Sequence, residues 1–358
     1  MAAAIMVEEL RPVIGGVDTH KDFHVAAAVD SLGGDPRTAS FPNNAAGHAA
    51  LLAWLSSHGP LQVVGVEGTG SYGSGLTRHL RAAGVTVLEV NRPNRQARRG
   101  RGKSDPLDAV AAARAALAGL AAGIPKAGDG IVEAIRLVRV VRRGAVRART
   151  QTMNQLRAVV DTAPVGFAAQ FTGLNSAQFV ALAAAGPNSA PAADPTAAVV
   201  WAARTLALRW QSLTEQINDA GAALAELAPR AAPGLCAMFG VGPDTAAALL
   251  VAGGDNPERL GSEAAFAALC GVNPLPASSG RTRRHRLNRA GNRDANSALW
   301  RVALVRMAHH QPTRDYVTRR TIEGLSKREI IRCLKRFIAR EVYKNLVADL
   351  ARSQPVPT

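Results

Sequence analysis

Short apolar runs at 13–17, 23–29, 38–41, 62–66 and 85–90 crowd into the first ninety residues and constrain the fold of this chain more than any other feature. Runs of this length bounded by turn residues read as strands. The first two flank a polar turn, as in a β-hairpin, and the third follows as a further strand. Residues 45–58, AAGHAALLAWLSSH, have helical periodicity and stop at Gly59-Pro60. The continuous run at 62–66 has the character of a buried parallel strand. A helix over 75–83 ends at Gly84, a strand follows over 85–90, and a helix is expected from 105 to about 122. A hairpin leading into strand–helix–strand–helix order predicts an α/β layer arrangement.

The remainder reads as helical. Residues 131–160 form one long helical pattern in which Arg136, Arg139, Arg143 and Arg147 fall on one face and Leu137, Val138, Val141 and Leu156 supply an apolar side. A Pro/Ala-rich break covers 184–196, and a second long helix, carrying Trp201 and Trp210, is expected over 197–227. The pair predicts an antiparallel helical arm. The last third opens with LCAMFGVGPDTAAALLVAGG, where Gly240 and Gly242 separate two apolar helical patterns. This reads as a helix–hairpin–helix whose turn presents backbone N–H groups to a phosphate. The expected domains are therefore 1–125, 126–230 and 231–350.

Composition narrows the partner. The chain has 358 residues, 43 Lys+Arg against 27 Asp+Glu, and a formal net charge of +16. Only six of those cations are lysine. Arginine grips phosphate bidentately, so the excess points to a polyphosphate such as nucleic acid. Hydrophobic residues make up 47%, enough for a real core and too many for a disordered basic tail. The 4% aromatic content argues against a protein that binds bases by stacking. No apolar run reaches membrane-spanning length, and the opening lacks the pattern of a secretory signal. Three scattered cysteines, Cys236, Cys270 and Cys333, imply neither a disulfide framework nor a zinc site, so a cytoplasmic, reducing setting is expected.

Four carboxylates stand out by position. Asp18 closes GGVD, Glu67 closes VGVE, and Asp105 and Asp108 lie in KSDPLD, where Ser104 reads as an N-cap and Pro106 falls in the first turn. If the strands ending in Asp18 and Glu67 are neighbours, the two carboxylates meet at one sheet edge. The helix start then completes an oxygen-rich cluster suited to Mg²⁺ or Mn²⁺. Capping alone also places acids at such positions. Arg95, Arg98, Arg99, Arg101 and Lys103 precede the last pair without an intervening acid, which reads either as a solvated loop or as a phosphate grip.

A second candidate site is the loop ASSG. Ser278 and Ser279 follow Pro274 and Pro276 and precede Gly280, and residues 281–293 hold six arginines and His285 with no acid. Arg281, Arg283, Arg284, Arg286 and Arg289 belong to this stretch. From pattern alone the loop reads first as an ordinary turn; dense positive charge around a bound phosphate would also assist attack by a serine. Arg328, Arg332, Lys335, Arg336 and Arg340 recur at helical spacing, as a phosphate-facing or a solvated stripe.

The segments GVDTHKDFHVAAAVD, VEGTGSYG, VNRPNRQARRGRGKSDPLDA, GVGPDTAAALL and CGVNPLPASSGRTRRHRLNRAGNR, in this order, resemble the insertion-sequence 110 family of transposases, which are DEDD-type, bridge-RNA-guided serine recombinases. The resemblance spans nearly the whole chain and is weakest in the central arm. It implies a RuvC-like (RNase H-like) first domain, a coiled-coil-like helical arm and a mostly helical C-terminal transposase domain. It implies that Asp18, Glu67, Asp105 and Asp108 form the metal-binding quartet. Aligned on Pro274 and Gly280, it makes Ser279 the nucleophile, with Ser278 standing where some members carry an acid. It also implies donor and target DNA, a structured guide RNA and a dimer or tetramer as partners. Three rivals are a junction nuclease that cleaves with water, a tyrosine recombinase using Tyr316 or Tyr343, and a non-catalytic nucleic-acid binder. The second leaves the carboxylates unexplained.

Overall fold

In the computed structural model, which describes residues 11–90, 104–121, 123–188, 194–278 and 285–352, the chain opens with a hairpin. Strands β1 (Val13–Thr19) and β2 (Phe23–Asp30) pair antiparallel, and β3 (Arg37–Pro42) adds to β2 in the same sense. Helix α1 (Ala45–Ser56), capped by the Asn44 side chain, leads to β4 (Leu61–Glu67). Helix α2 (Ser74–Ala82) and strand β5 (Thr86–Val90) follow, then helix α3 (Asp105–Leu117). The sheet order is β3-β2-β1-β4-β5, with β4 and β5 parallel to β1. Both faces are covered. Leu51, Leu55, Leu76 and Leu80 pack against Val17, Val64 and Val66 on one, and Ala109, Val110, Ala112, Ala113 and Ala116 against Ile14, Ala27 and Val29 on the other. The expected α/β layering is present.

This unit comprises 1–129 together with 254–261, a segment borrowed from far along the chain. Buried Asn256 donates to the carbonyl of Pro125 (3.2 Å) and accepts from the N–H of Ala127 (3.3 Å). Arg259 donates to the carbonyl of Ile124 (3.0 Å) and lies 3.7 Å from Glu89. Apolar patterning carries no sign of such a strap, because polar side chains hold it.

The second unit, 130–253 with 262–358, is helical. Helix α4 (Ile131–Asp161) leads through α5 (Val165–Ala168) and α6 (Ser176–Ala184) to α7 (Pro195–Ala231), capped by the Asp194 carboxylate. Met153, Leu156 and Val160 of α4 pack with Ala203 and Ala207 of α7, while Arg149 stacks on Trp210 at 5.3 Å. The later half of α4 thus meets the early half of α7, the antiparallel arrangement expected. The apolar side expected on α4 is only partly correct. Leu156 is buried, but Leu137 and Val141 are more than half exposed, and the inward seam runs through Val132, Ile135, Arg139 and Ala145. Arg139 can occupy that seam because Asp244 (4.0 Å) and Asp294 (3.8 Å) meet it there. Arg142 and Arg301 also reach Asp244, and Arg143 pairs with Asp294.

The chain continues through α8 (Pro233–Cys236) into α9 (Pro243–Gly253), whose residues 246–250 are entirely buried. Helix α10 (Glu263–Leu269) precedes the short hairpin β6 (Leu275–Pro276) and β7 (His285–Arg286). Helices α11 (Arg293–His309), α12 (Gln311–Ile322) and α13 (Lys327–Arg352) complete the unit. No helix among the described residues is long and apolar enough to cross a membrane.

One core position responds to acid. His24, fully enclosed on β2, stacks on His48 of α1 with ring centroids 5.6 Å apart. Burial first, and the His48 cation second, push its pKa from 6.5 to about 4. Between those values the unfolded chain takes up a proton that the folded chain refuses, so stability held above pH 6.5 is lost as pH falls towards 4. Denaturant midpoints measured from about pH 7.5 to about pH 4 are expected to fall less steeply in His24→Leu than in the wild type.

Candidate active site

Parallel pairing of β1 with β4 in the register Val17↔Val66 puts the next residues, Asp18 and Glu67, side by side at the strand ends. Both are buried, and the Thr19 hydroxyl donates to the Glu67 carbonyl (2.7 Å), tying the two ends together. Asp105 is the first residue of α3 and Asp108 lies in its first turn, where the helix dipole favours carboxylates. Ser104 holds the cap position, and its carbonyl accepts from Leu107 and Asp108. Its side chain, however, makes no capping bond.

Glycine lets α3 reach this edge. A Cβ at Gly16 would lie 2.2 Å from both the carbonyl oxygen of Ala109 and the nitrogen of Ala113, and one at Gly65 would lie 2.6 Å from the carbonyl oxygen of Ala112. Helix backbone rests directly on strand backbone at these two glycines.

The structure therefore brings all four expected carboxylates into one electrostatic neighbourhood. The Asp18 pKa is raised, first by burial, with further pressure from Glu67, Asp108 and Asp105; His20 opposes the rise. His20 is a residue that the carboxylate pattern does not single out. Its Nε2 lies 3.2 Å from Asp18 Oδ2 and 3.4 Å from Asp105 Oδ2, yet is aligned for a hydrogen bond to neither. The available signal is its place two residues beyond Asp18, in DTHKD. Asp18, His20 and Asp105 offer ligand atoms within 4.8 Å of one another. Crowded anions beside an unsatisfied ring nitrogen are the donor set that a hard divalent cation relieves, so the residues present fit Mg²⁺ or Mn²⁺.

The other expected site residues are more dispersed. Ser279, Gly280, Arg281, Arg283 and Arg284 lie outside the described residues, as do Arg95, Arg98, Arg99, Arg101 and Lys103. Ser278 is exposed, and β6 and β7 bracket 277–284. The foot of that hairpin is tight: a Cβ at Gly291 would fall 2.2 Å from the nitrogen of Gly271, and Asn288 donates to Asn273 (2.7 Å). Arg286 and Arg289 are exposed. Gly240 and Gly242 precede α9, but the helix before them, α8, is a single turn, and Asp244 brings its own anion to the start of α9. On α13, Arg336 and Arg340 are engaged by Glu263, so only part of that stripe is free to face a phosphate. Tyr316 lies under Arg319 and against Phe337, with its phenol pKa raised by burial and by Cys333, a poor setting for a nucleophile.

Two measurements probe the cluster. Gly16→Ala forces α3 off the sheet and is expected to cost about 2–3 kcal/mol of unfolding free energy, read by denaturant titration. Mn²⁺ at about a hundredfold excess over its dissociation constant should stabilise the wild type by about 2.7 kcal/mol, and Asp18→Asn should abolish the shift. Thermal unfolding with added Mn²⁺, with and without EDTA, reads it.

Comparison with known families bears on the same residues. A transposase model of the DEDD IS110 type matches residues 15–164, and a model described as "Transposase IS116/IS110/IS902 family" matches residues 232–318. Among curated proteins no relative matches the chain. The two matches, in order and together spanning about two thirds of the sequence, take in the carboxylate cluster and the β6–β7 hairpin. This chain belongs to the IS110 family of transposases, enzymes of insertion sequences that act on DNA.

Proposed function

We propose that this transposase cuts and rejoins DNA through two cooperating centres, the carboxylates Asp18, Glu67, Asp105 and Asp108 and the nucleophile Ser279. The observation that carries the reading is the meeting of Asp18 and Glu67 at the ends of paired parallel strands, facing the acidic start of α3. The sheet order β3-β2-β1-β4-β5 supports an RNase H-like, RuvC-like assignment for this part. The same reading divides the chain into a 1–125 nuclease-like domain, a 126–230 arm and a 231–350 transposase domain.

A bound Mg²⁺ or Mn²⁺ would supply positive charge and Lewis-acid polarisation to the phosphate oxygens. Asp18 and Asp105, with Glu67 and Asp108 in the same electrostatic neighbourhood, would hold that ion, and His20 Nε2 would join the donors. The Ser279 oxygen attacks the scissile phosphorus. A serine–phosphate bond forms as the bond from phosphorus to the 3′-oxygen breaks, the serine proton is given up, and the 3′-oxygen leaves as a hydroxyl. Attack by a 3′-hydroxyl of the exchanged strand reverses the bond and frees the serine, so no external energy source is consumed. Arg289, exposed in the basic stretch that follows the serine loop, would hold the strand.

Selection of donor and target by a pairing guide RNA, and assembly as a dimer or tetramer through the α4–α7 arm, complete the reading, which is supported by the family resemblance. The cytoplasm is the setting in which such an enzyme meets its DNA. The experiment incubates the protein, the element's flanking RNA and labelled junction DNA with Mg²⁺ and resolves products under denaturing conditions. A protein–DNA adduct is expected in the wild type and in Ser278→Ala, and is expected to vanish in Ser279→Ala and Asp18→Ala. Cleavage without adduct, indifferent to both serine changes, would instead establish a water-using metal nuclease.

A further inference from the structure

The β6–β7 hairpin and α13 enclose a cleft of about 900 Å³. Its walls are unequal in charge. Arg286 approaches from β7, Arg320 from the end of α12, and Arg328, Arg332, Lys335 and Arg336 from α13; Glu329 is the one carboxylate among the described lining residues. Three of these cations have acidic partners. Arg336 pairs with Glu263, Arg320 with Glu323, and Arg332 lies 3.8 Å from Glu329. Arg286 and Arg328 are exposed and have no ion-pair partner among the described residues.

Lys335 is the unusual member. It is 6% exposed, and its Nζ donates to Asn296 Oδ1 at 2.9 Å. Asn296 is itself fixed, since its amide donates to the carbonyls of Cys270 (2.9 Å) and Gly271 (3.1 Å), turning its oxygen towards the ammonium. An ammonium has three donors, and no carboxylate among the described residues takes the other two. Burial and the Arg332 cation both favour its neutral form. A buried cation with no carboxylate partner among the described residues, on the wall of a cationic cleft, is costly in the free protein, and an anion entering the cleft removes that cost.

We propose that this cleft seats backbone phosphates of a nucleic-acid strand, with Lys335 as the buried anchor and Arg286 and Arg328 as the clamps closing on it from opposite walls. The inference rests on the chain acting on DNA and is independent of the serine chemistry. Phosphodiester is the chemistry recognised, and DNA and RNA both provide it.

The test measures binding of labelled DNA and RNA strands of one sequence by anisotropy, in EDTA so that nothing is cleaved, across a range of salt. Each phosphate that the protein no longer neutralises should flatten the slope of log affinity against log salt by about 0.7 for single strands. Lys335→Met and the double variant Arg286→Ala/Arg328→Ala should both show this flattening, with affinity at least about tenfold weaker at low salt, while Arg230→Ala on α7 keeps the wild-type slope. The double variant alters only exposed side chains and carries the test should Lys335→Met fail to fold. Flattening with DNA alone, or with RNA alone, supports the cleft and names its strand. A wild-type slope for both polymers in the double variant overturns the proposal; should the covalent adduct still form there, the serine reading stands without it.

Discussion

Backbone-to-backbone contact between α3 and the sheet is the constraint on which the candidate site depends. Strand ends deliver Asp18 and Glu67, but the third and fourth carboxylates come from a helix, and its height above the sheet decides whether the groups form one cluster. Gly16 and Gly65 set that height at the minimum the chain allows. The alanines of α3 hold it there by packing against Ile14, Ala27 and Val29. Apolar packing elsewhere thus brings four acids into one electrostatic neighbourhood.

The helical unit solves the opposite problem. Arg139, Arg142, Arg143 and Arg301 surround Asp244 and Asp294, so four cations gather around two acids, with Arg139 the buried one. Both acids lie in the first turns of their helices, α9 and α11, where the dipole already favours them. The arrangement joins α4, α9 and α11 through charge where the apolar seam of α4 is interrupted. It also shows why a high arginine count does not translate directly into nucleic-acid-binding surface.

Much of this is legible in the sequence. Strands of the first unit stand out because buried parallel and hairpin strands need continuous apolar runs, and the four acids are visible because they close those runs or open a helix. His20 is not visible, since a histidine in a turn carries no periodic signal. The apolar side of α4 misleads because Leu137 and Val141 carry the expected residue types on the outward side, whereas charged Arg139 turns inward to partners about a hundred residues away or more. Long-range ion pairs leave no local pattern. The strap at 254–261 is hidden for the same reason.

That strap changes what counts as a separable part. Asn256 and Arg259 satisfy the carbonyls of Ile124 and Pro125 from a position after both long helices. The first unit therefore becomes complete only once the ribosome has made more than two thirds of the chain. No single cut yields two whole units, and an exchange of gene segments between related elements would have to move both pieces of a unit together. Inheritance of the two units is thereby coupled by a handful of hydrogen bonds.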